Sequence, residues 1–445
     1  MLSELIGPCM NPSALISPGA PTPVMALRAA QPTPVFGPGL VARDRLVRRL
    51  IRARDVPVAL LCAPAGYGKT TTLLEWAQRD ERAFAWLALD RDHDDREHLL
   101  ASVERCTKPL ARRGGAFVLV LDDVHVLRSP GAAQAIAAIV EQPPRGAQVA
   151  LASRRTPPVP LGRLRAHRRV IELTARDFVM TRSEAGALLE LAGVELGPTQ
   201  IDTLVRRTEG WPAGLYLAAL SLRDQADAPA AVARFGGDDR VVSDYIVDAL
   251  LSELPLEQVT FLRRTSVLDR LSGPLCDAVC DDHGSAQLLH ELARANVLLH
   301  PLDRTDRWFR YHRLLAQMLR AQLRLREPEL EPELHRRASR WLADDGDIDA
   351  AIRHAAAAAD VQLAGELLCQ RIPLFRELVE RKLKERVDLR VEFHSSTTSR
   401  VTVVVSITTT GAVSAMASRR RCTRLYHHDV SSAVPMAVTM TDAAT

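Results

Sequence analysis

The sequence predicts a multidomain fold: an α/β domain with a parallel sheet and flanking helices, followed by a mostly α-helical remainder. Three observations carry this expectation. The chain has 445 residues, enough for two or more domains at about 100–200 residues each. Up to Leu173, short apolar runs alternate with helix-like stretches, as strands joined by crossover helices do. From about Thr181 the strand signal fades and leucines fall at helical spacings.

Residues 1–35 carry many Pro, Ala and Gly, prolines interrupt every apolar run, and the stretch reads as a disordered lead-in. Val41–Arg54 reads as an amphipathic helix, with Val41, Leu46, Leu50 and Ile51 set between arginines. Val58–Cys62, Phe84–Leu89, Phe117–Leu121, Gln148–Ala152 and Val170–Leu173 read as strands. Leu188, Leu189, Leu191, Leu204, Leu215, Leu217 and Leu220 mark helices, and a further helical block runs from Tyr245 to Gln322 with one extended piece near Val297–Leu302. Leu334–Arg371 reads as a helical hairpin turning at Asp344-Asp345-Gly346. After Arg386 the composition shifts. Residues 391–445 hold 18 Ser/Thr and one Leu, against one Ser/Thr and nine Leu in 321–375. That tail reads as an aberrant or disordered end, from a shifted reading frame or a degenerate terminus. Val401–Ile407 is its one strand candidate, and in isolation would be an aggregation hazard.

Composition excludes several classes. The charge sum is 58 − 54 = +4, too small over this length to argue for nucleic acid or an anionic membrane. Only Lys69, Lys108, Lys382 and Lys384 are lysines, so the arginine excess reflects coding bias more than phosphate binding. Seven scattered cysteines point to a reducing, cytoplasmic interior. No apolar run is long enough to span a membrane, and the N-terminus lacks a secretory pattern.

The strongest chemical signal is Ala63-Pro64-Ala65-Gly66-Tyr67-Gly68-Lys69-Thr70, set between a strand and a helix as a phosphate-binding P-loop must be. Gly66 and Gly68 let the backbone turn N–H groups toward phosphates. Lys69 would neutralise the β- and γ-phosphates, Thr70 would offer a hydroxyl to Mg²⁺, and the helix N-terminus adds positive potential. Ala65, Gly66, Tyr67, Gly68, Lys69, Thr70 and Thr71 are therefore the candidate ATP-binding residues. Ala63 stands where the usual first glycine would be.

Phe117–Leu121 ends in Asp122-Asp123, an apolar strand running into two carboxylates. Asp122 would hold Mg²⁺, and Asp123 would orient or activate the attacking water. Arg154, after the fourth predicted strand, can reach the γ-phosphate; the alternative is a surface arginine in an arginine-rich chain.

Together, Pro64–Thr71, Leu121-Asp122-Asp123-Val124-His125, Leu151-Ala152-Ser153-Arg154, Glu209-Gly210-Trp211-Pro212-Ala213-Gly214-Leu215 and Tyr311-His312-Arg313-Leu314-Leu315 resemble the MalT-like, large ATP-binding LuxR-family regulators, of the STAND class of P-loop ATPases. The resemblance covers roughly residues 40–385. It implies a P-loop NTPase domain at 36–175, a helical lid at 176–235, a winged-helix domain at 236–325 and the start of a helical-repeat region at 326–385, before the tail at 386–445. It also implies ATP/ADP exchange and an inducer, small molecule or protein, driving homo-oligomerisation. DNA binding would follow through a helix-turn-helix, and slow ATP hydrolysis would reset the switch. Pro212 falls where the class places a proline near the adenine. His312 matches a winged-helix histidine that senses the diphosphate, or is a structural histidine beside Tyr311. Glu209-Gly210-Trp211 also reads as a helix end with a core tryptophan.

The chain departs from this pattern in two places. The stretch from Asp95 to Phe117 is short, which puts a sheet-flanking helix in doubt. Nothing after Arg386 reads as a DNA-binding unit, and Arg419-Arg420-Arg421 is too short to replace one, so DNA is a partner only if a helix-turn-helix exists elsewhere. Two other readings stay open: a P-loop ATPase doing chemical or remodelling work, and a truncated regulator that binds nucleotide only. Cys276, Cys280, His283 and His290 lack a strong zinc spacing, and His93-Asp94-Asp95 with His98 reads as a solvated polar loop.

Overall fold

The computed structural model describes residues 40–371 except 224 and 226, together with strands at 388–395, 401–408, 422–427 and 439–442. The predicted lead-in and the Arg419–Arg421 run lie outside the described residues.

The five predicted strands form within one residue of their expected ends: β1 (Val58–Cys62), β2 (Ala83–Ala88), β3 (Phe117–Asp122), β4 (Ala147–Ser153) and β5 (Val170–Thr174). They make one parallel sheet in the order β2-β3-β4-β1-β5. Their sequences are continuous apolar runs because both faces are covered. Alternation sends Ala59, Leu61, Val118 and Val120 to one face, against Leu73 and Trp76. Val58, Leu60, Leu119 and Leu121 face the other way, against Leu99, Val103, Ile136 and Val140.

Helix α1 (Asp44–Arg52) is shorter than the predicted Val41–Arg54 because Arg43 is drawn out of it. The Arg43 N–H donates to Glu75 (2.7 Å), and its guanidinium donates to Glu184 (3.2 Å) and to the Phe178 carbonyl (2.6 Å). Helix α2 (Lys69–Arg79) follows β1 through the loop 63–68. The helix placed in doubt is present: α3 spans Arg96–Arg113, capped by Asp95, whose carboxylate accepts the His98 N–H at 2.8 Å, and stopped at Gly114 with φ 70°. Eighteen residues rise about 27 Å, enough to cross back over a six-residue strand. Helix α4 (Pro130–Glu141) covers the same face.

The His93 region is also different from the solvated loop expected. His93 is buried and bonds Asp90 (2.7 Å), while Asp94 accepts the N–H groups of Arg128 (2.6 Å) and Ser129 (2.7 Å), tying the β2–α3 turn to α4.

After Ala175–Phe178, helices Arg182–Leu191, Pro198–Arg207, Pro212–Leu222 and Ala228–Arg234 pack together. The predicted Tyr245–Gln322 block is not all helix. Helices Leu256–Thr265, Gly273–Cys280 and Ser285–Arg294 lead to an antiparallel ribbon, β6 (Leu299–Pro301) with β7 (Phe309–Tyr311), then helix Arg313–Arg326. The second strand escaped notice because three residues are too few to show alternation. The predicted hairpin is three helices: Leu330–Asp344, Ile348–Ala357 and Val361–Arg371. The extra break falls at Ala359 (φ 53°) and Asp360, whose carboxylate accepts the Leu363 N–H. In the tail, Val401–Thr408 is not isolated but pairs antiparallel with 388–395 and 422–427. No described helix is long and apolar enough to cross a membrane.

Candidate functional site

Parallel α/β sheets gather loops at the carboxyl ends of their strands. Here β4 lies between β1 and β3. The loop after β1, the carboxylates after β3 and Arg154 after β4 therefore converge on one crevice. Gly66 (φ 75°) and Gly68 (φ 78°) occupy the left-handed region that the loop requires and that glycine adopts without strain.

Lys69 is buried, and its ammonium donates to the carbonyls of Ala63 (2.8 Å) and Pro64 (2.9 Å). Burial, then the Arg154 charge, lowers it to about 8. Thr70 Oγ1 donates to Asp122 Oδ2 at 2.9 Å. The Asp122 carboxyl rises to about 6, first through burial and second through the neighbouring Asp123 charge. A divalent cation would relieve both, and one hydroxyl with one carboxylate is a donor set that suits Mg²⁺, which keeps waters and takes phosphate oxygens. Asp123 is in the left-handed region (φ 59°) and half-exposed, with its Oδ1 3.6 Å from His125 Nδ1. Arg154 donates to the Ala249 carbonyl (3.3 Å), and its own carbonyl accepts from Asn296 (2.6 Å).

The structure also brings the 211–215 motif onto the loop. Trp211 Nε1 donates to the Ala65 carbonyl (3.1 Å), and the Ala213 N–H donates to the Gly66 carbonyl (3.0 Å). A Cβ at Gly66 would overlap Ala213 Cβ and stand 2.8 Å from Tyr245 Oη. Pro212 is buried between these two donors at the first turn of its helix, where a missing N–H costs nothing. Tyr67 is buried beside this contact.

His312 is buried. Its Nε2 donates to the Thr208 carbonyl (3.0 Å), and its ring lies 5.7 Å from that of Trp211, which itself reaches the loop. Glu209 and Arg310 form a bidentate pair (2.8 and 2.7 Å), and the Arg313 N–H adds a third bond to Glu209 (2.9 Å). Although burial opposes ionisation, these donors hold Glu209 down at about 2. The sequence marked Glu209 only as part of a motif and gave no sign of this pairing, which joins residues a hundred positions apart.

Of the residues weighed for zinc, Cys276 is in the core, burial raises both thiols, and His290 bonds the Ala286 carbonyl of its own helix (2.6 Å).

Several histidines are held neutral, chiefly by burial: His125 and His335 at about 3, His300 and His354 at about 4. His335 and His354 also share a 2.8 Å bond between their Nδ1 atoms. Unfolded histidines bind protons near pH 6.5 that these refuse, so stability falls as pH drops below about 6.5 and continues falling to about 3. Asp122 acts in the opposite sense below its raised value, but it is one group against four. We expect the denaturation midpoint to decline between pH 7 and 4.5, before most carboxylates titrate; a flat profile there would contradict neutral burial.

The sheet order, the loop between β1 and α2 and the carboxylates after β3 make this a P-loop NTPase fold. The MalT winged helix domain family matches residues 247–331. The serine/threonine-protein kinase PknK of Mycobacterium tuberculosis is 30% identical over 388 residues, covering 79% of this chain and 35% of that protein. The HTH-type transcriptional regulator MalT of Yersinia pestis is 30% identical over 375 residues, covering 76% and 41%. The chain thus spans well under half the length of these relatives. The Walker-type ATPase paby2304 of Pyrococcus abyssi aligns over 63% of this chain and 96% of its own, at 14% identity and a TM-score of 0.47.

Proposed function

Because this chain is MalT-like, joining a P-loop NTPase fold to a MalT winged-helix domain at residues 247–331, we propose that it is a nucleotide-operated switch that regulates transcription. ATP lies along 65–71, with Lys69 on the β- and γ-phosphates and Pro212 near the base. Thr70 and Asp122 would hold Mg²⁺, and the ion would supply positive charge beside the phosphates. Asp123 orients the attacking water, and Arg154 reads the γ-phosphate. His312 acts at one remove, through Trp211.

The observation that carries this reading is the double contact of the helical unit at 176–235. One turn, Glu209–Ala213, makes both contacts: Trp211 and Ala213 bond the loop carbonyls of Ala65 and Gly66, and Glu209 pairs with Arg310 of the winged helix. A ligand on the loop therefore touches the lid, and the lid is tied to the winged helix. A triphosphate and a diphosphate make different contacts in the open and closed arrangements, and that difference is what can shift the equilibrium. Output would run through an inducer and self-association in the cytoplasm, and to DNA only if a helix-turn-helix exists elsewhere. Hydrolysis serves only to reset the state.

Titrating purified protein with MgATP and MgADP, followed by size-exclusion chromatography, tests this. We expect both to bind and only one to change the assembly state; identical elution in both would remove the switch. Asp123→Asn should slow turnover by about 100-fold or more while ATP affinity stays within about threefold, because the side chain acts on water rather than on bound phosphate. Equal losses in affinity and turnover would assign Asp123 to binding instead.

A further inference from the structure

A cavity of about 750 Å³ lies between the carboxyl ends of β1 and β5 and the β6–β7 ribbon of the winged helix. None of Lys69, Thr70, Asp122, Asp123 and Arg154 lines it, so it is a separate space from the nucleotide crevice. Its volume falls within the range of about 300–1,000 Å³ that small-molecule sites occupy. The floor is apolar, made by Leu60, Leu161, Leu299 and Phe309. Four arginines and three acids stand around it, and two pairs of these cancel. Arg165 holds Glu172 by two bonds (2.7 Å each), and Arg310 holds Glu209. Arg176, Arg294 and Asp306 make no ion pair among the described residues, and all three are exposed. The wall therefore carries one arginine charge in excess.

The second observation is the Tyr67 hydroxyl. The residue is only 2% exposed, and it forms part of the cavity wall. Its hydroxyl bonds no described residue, yet it is not one of the polar atoms sealed from solvent without a partner. Since Tyr67 lines this cavity, that is where its remaining surface opens. A buried tyrosine normally finds a partner for its O–H, so this one faces a place where a ligand's polar group belongs. His300 lines the same wall and is half-buried. Its ring likewise bonds no described residue. Burial above all holds it neutral at about 4, so it offers one N–H and one lone pair.

We propose that this cavity binds a small organic monoanion with an apolar body. The body lies on Leu60, Leu161 and Phe309, the anionic head meets Arg176 and Arg294 at the rim, and the Tyr67 hydroxyl and His300 ring bond polar groups between. The excess of one arginine sets the ligand's charge, and a guanidinium fork suits an oxyanion head. The walls come from three units: β1 and β5 of the α/β domain, Glu209 of the lid and the ribbon of the winged helix. A ligand that touches all three favours the arrangement in which they stand this way. Binding itself does not depend on the nucleotide reading; only its effect on the switch rests on it.

Fluorescence titration of the full chain with 8-anilinonaphthalene-1-sulfonate, an aromatic monoanion, tests the site. One dye per chain should bind saturably. Arg176→Gln combined with Arg294→Gln should weaken it about tenfold or more. N-phenyl-1-naphthylamine, a similar body without the sulfonate, should bind more weakly and ignore both substitutions. Thr156→Trp, at an exposed position on the wall, fills the space and should weaken both dyes. All three substituted positions are exposed, and melting temperatures of the variants separate loss of the site from loss of the fold. Both effects are required: sulfonate binding that survives the arginine pair removes the anion site, and binding that survives Thr156→Trp removes the cavity. The same titration in rising MgADP places the dye. An affinity that falls in proportion to MgADP puts it in the nucleotide crevice and overturns the proposal, while a separate site keeps the dye at saturating MgADP. If ADP fails to bind at all, the nucleotide reading falls and the variants alone decide the cavity.

Discussion

Replacing Lys69 with alanine lowers affinity for MgATP by about 100-fold or more, while the fold survives. Charge-assisted hydrogen bonds to phosphate are among the stronger single contacts a protein makes, and this ammonium sits where little water competes. A hundredfold loss is about 2.7 kcal/mol, within reach of one such group. The fold is spared because two effects offset. Holding Lys69 charged while buried has a cost, visible in its lowering to about 8. Removing it relieves that cost but leaves the carbonyls of Ala63 and Pro64 without their donor. We expect a small change in melting temperature, and fluorescence or filter binding to show the loss of ATP. Unchanged affinity would refute the loop as the nucleotide site.

Trp211→Ala should be the most damaging change at the contact between loop and lid. The ring is fully buried, packs edge-on to Tyr245 (5.7 Å between centroids) and donates to Ala65. Deleting a buried tryptophan costs about 3–5 kcal/mol through lost transfer energy and the cavity left behind. Trp211→Phe is the informative control. It keeps most of the packing and removes the indole N–H, a bond worth about 0.5–1.5 kcal/mol. The alanine variant should show a much lower denaturation midpoint and faster ADP release, because the lid loses its anchor on the loop. If the phenylalanine variant alone releases ADP as fast as the alanine one, the N–H bond rather than packing holds the lid. A wild-type midpoint for the alanine variant would mean that the lid does not depend on this ring.

Much of the α/β domain was legible because its signals are local. An apolar run of five residues, a glycine pair and a Lys-Thr all act within a few positions of themselves. Boundaries moved where a side chain found a distant partner. Arg43 left the first helix for Glu75 and Glu184. The short stretch from Asp95 to Phe117 put a flanking helix in doubt, yet it holds the helix Arg96–Arg113, long enough to recross a six-residue strand. The β6–β7 ribbon was only half seen, since strands of three residues owe their existence to pairing and not to pattern.

The site divides in the same way. Lys69, Thr70, Asp122 and Asp123 were nominated by residue type and spacing, and the sheet order brings them together. His312, read as either a diphosphate-sensing or a structural histidine, bonds the Thr208 carbonyl and lies against Trp211. His125, quoted only as part of a motif, proves to be a buried nitrogen without a partner.

By itself, then, the chain's order of residues determined that a strand, a glycine bend and a helix N-terminus would make a P-loop, because those contacts lie between near neighbours. Only the tertiary structure decided that Trp211 and Ala213 would close on that loop, and that Glu209 would meet Arg310. Such pairings join residues a hundred or more positions apart. They are chosen by which buried polar groups must find partners once the cores have packed, a requirement that no local stretch of sequence records.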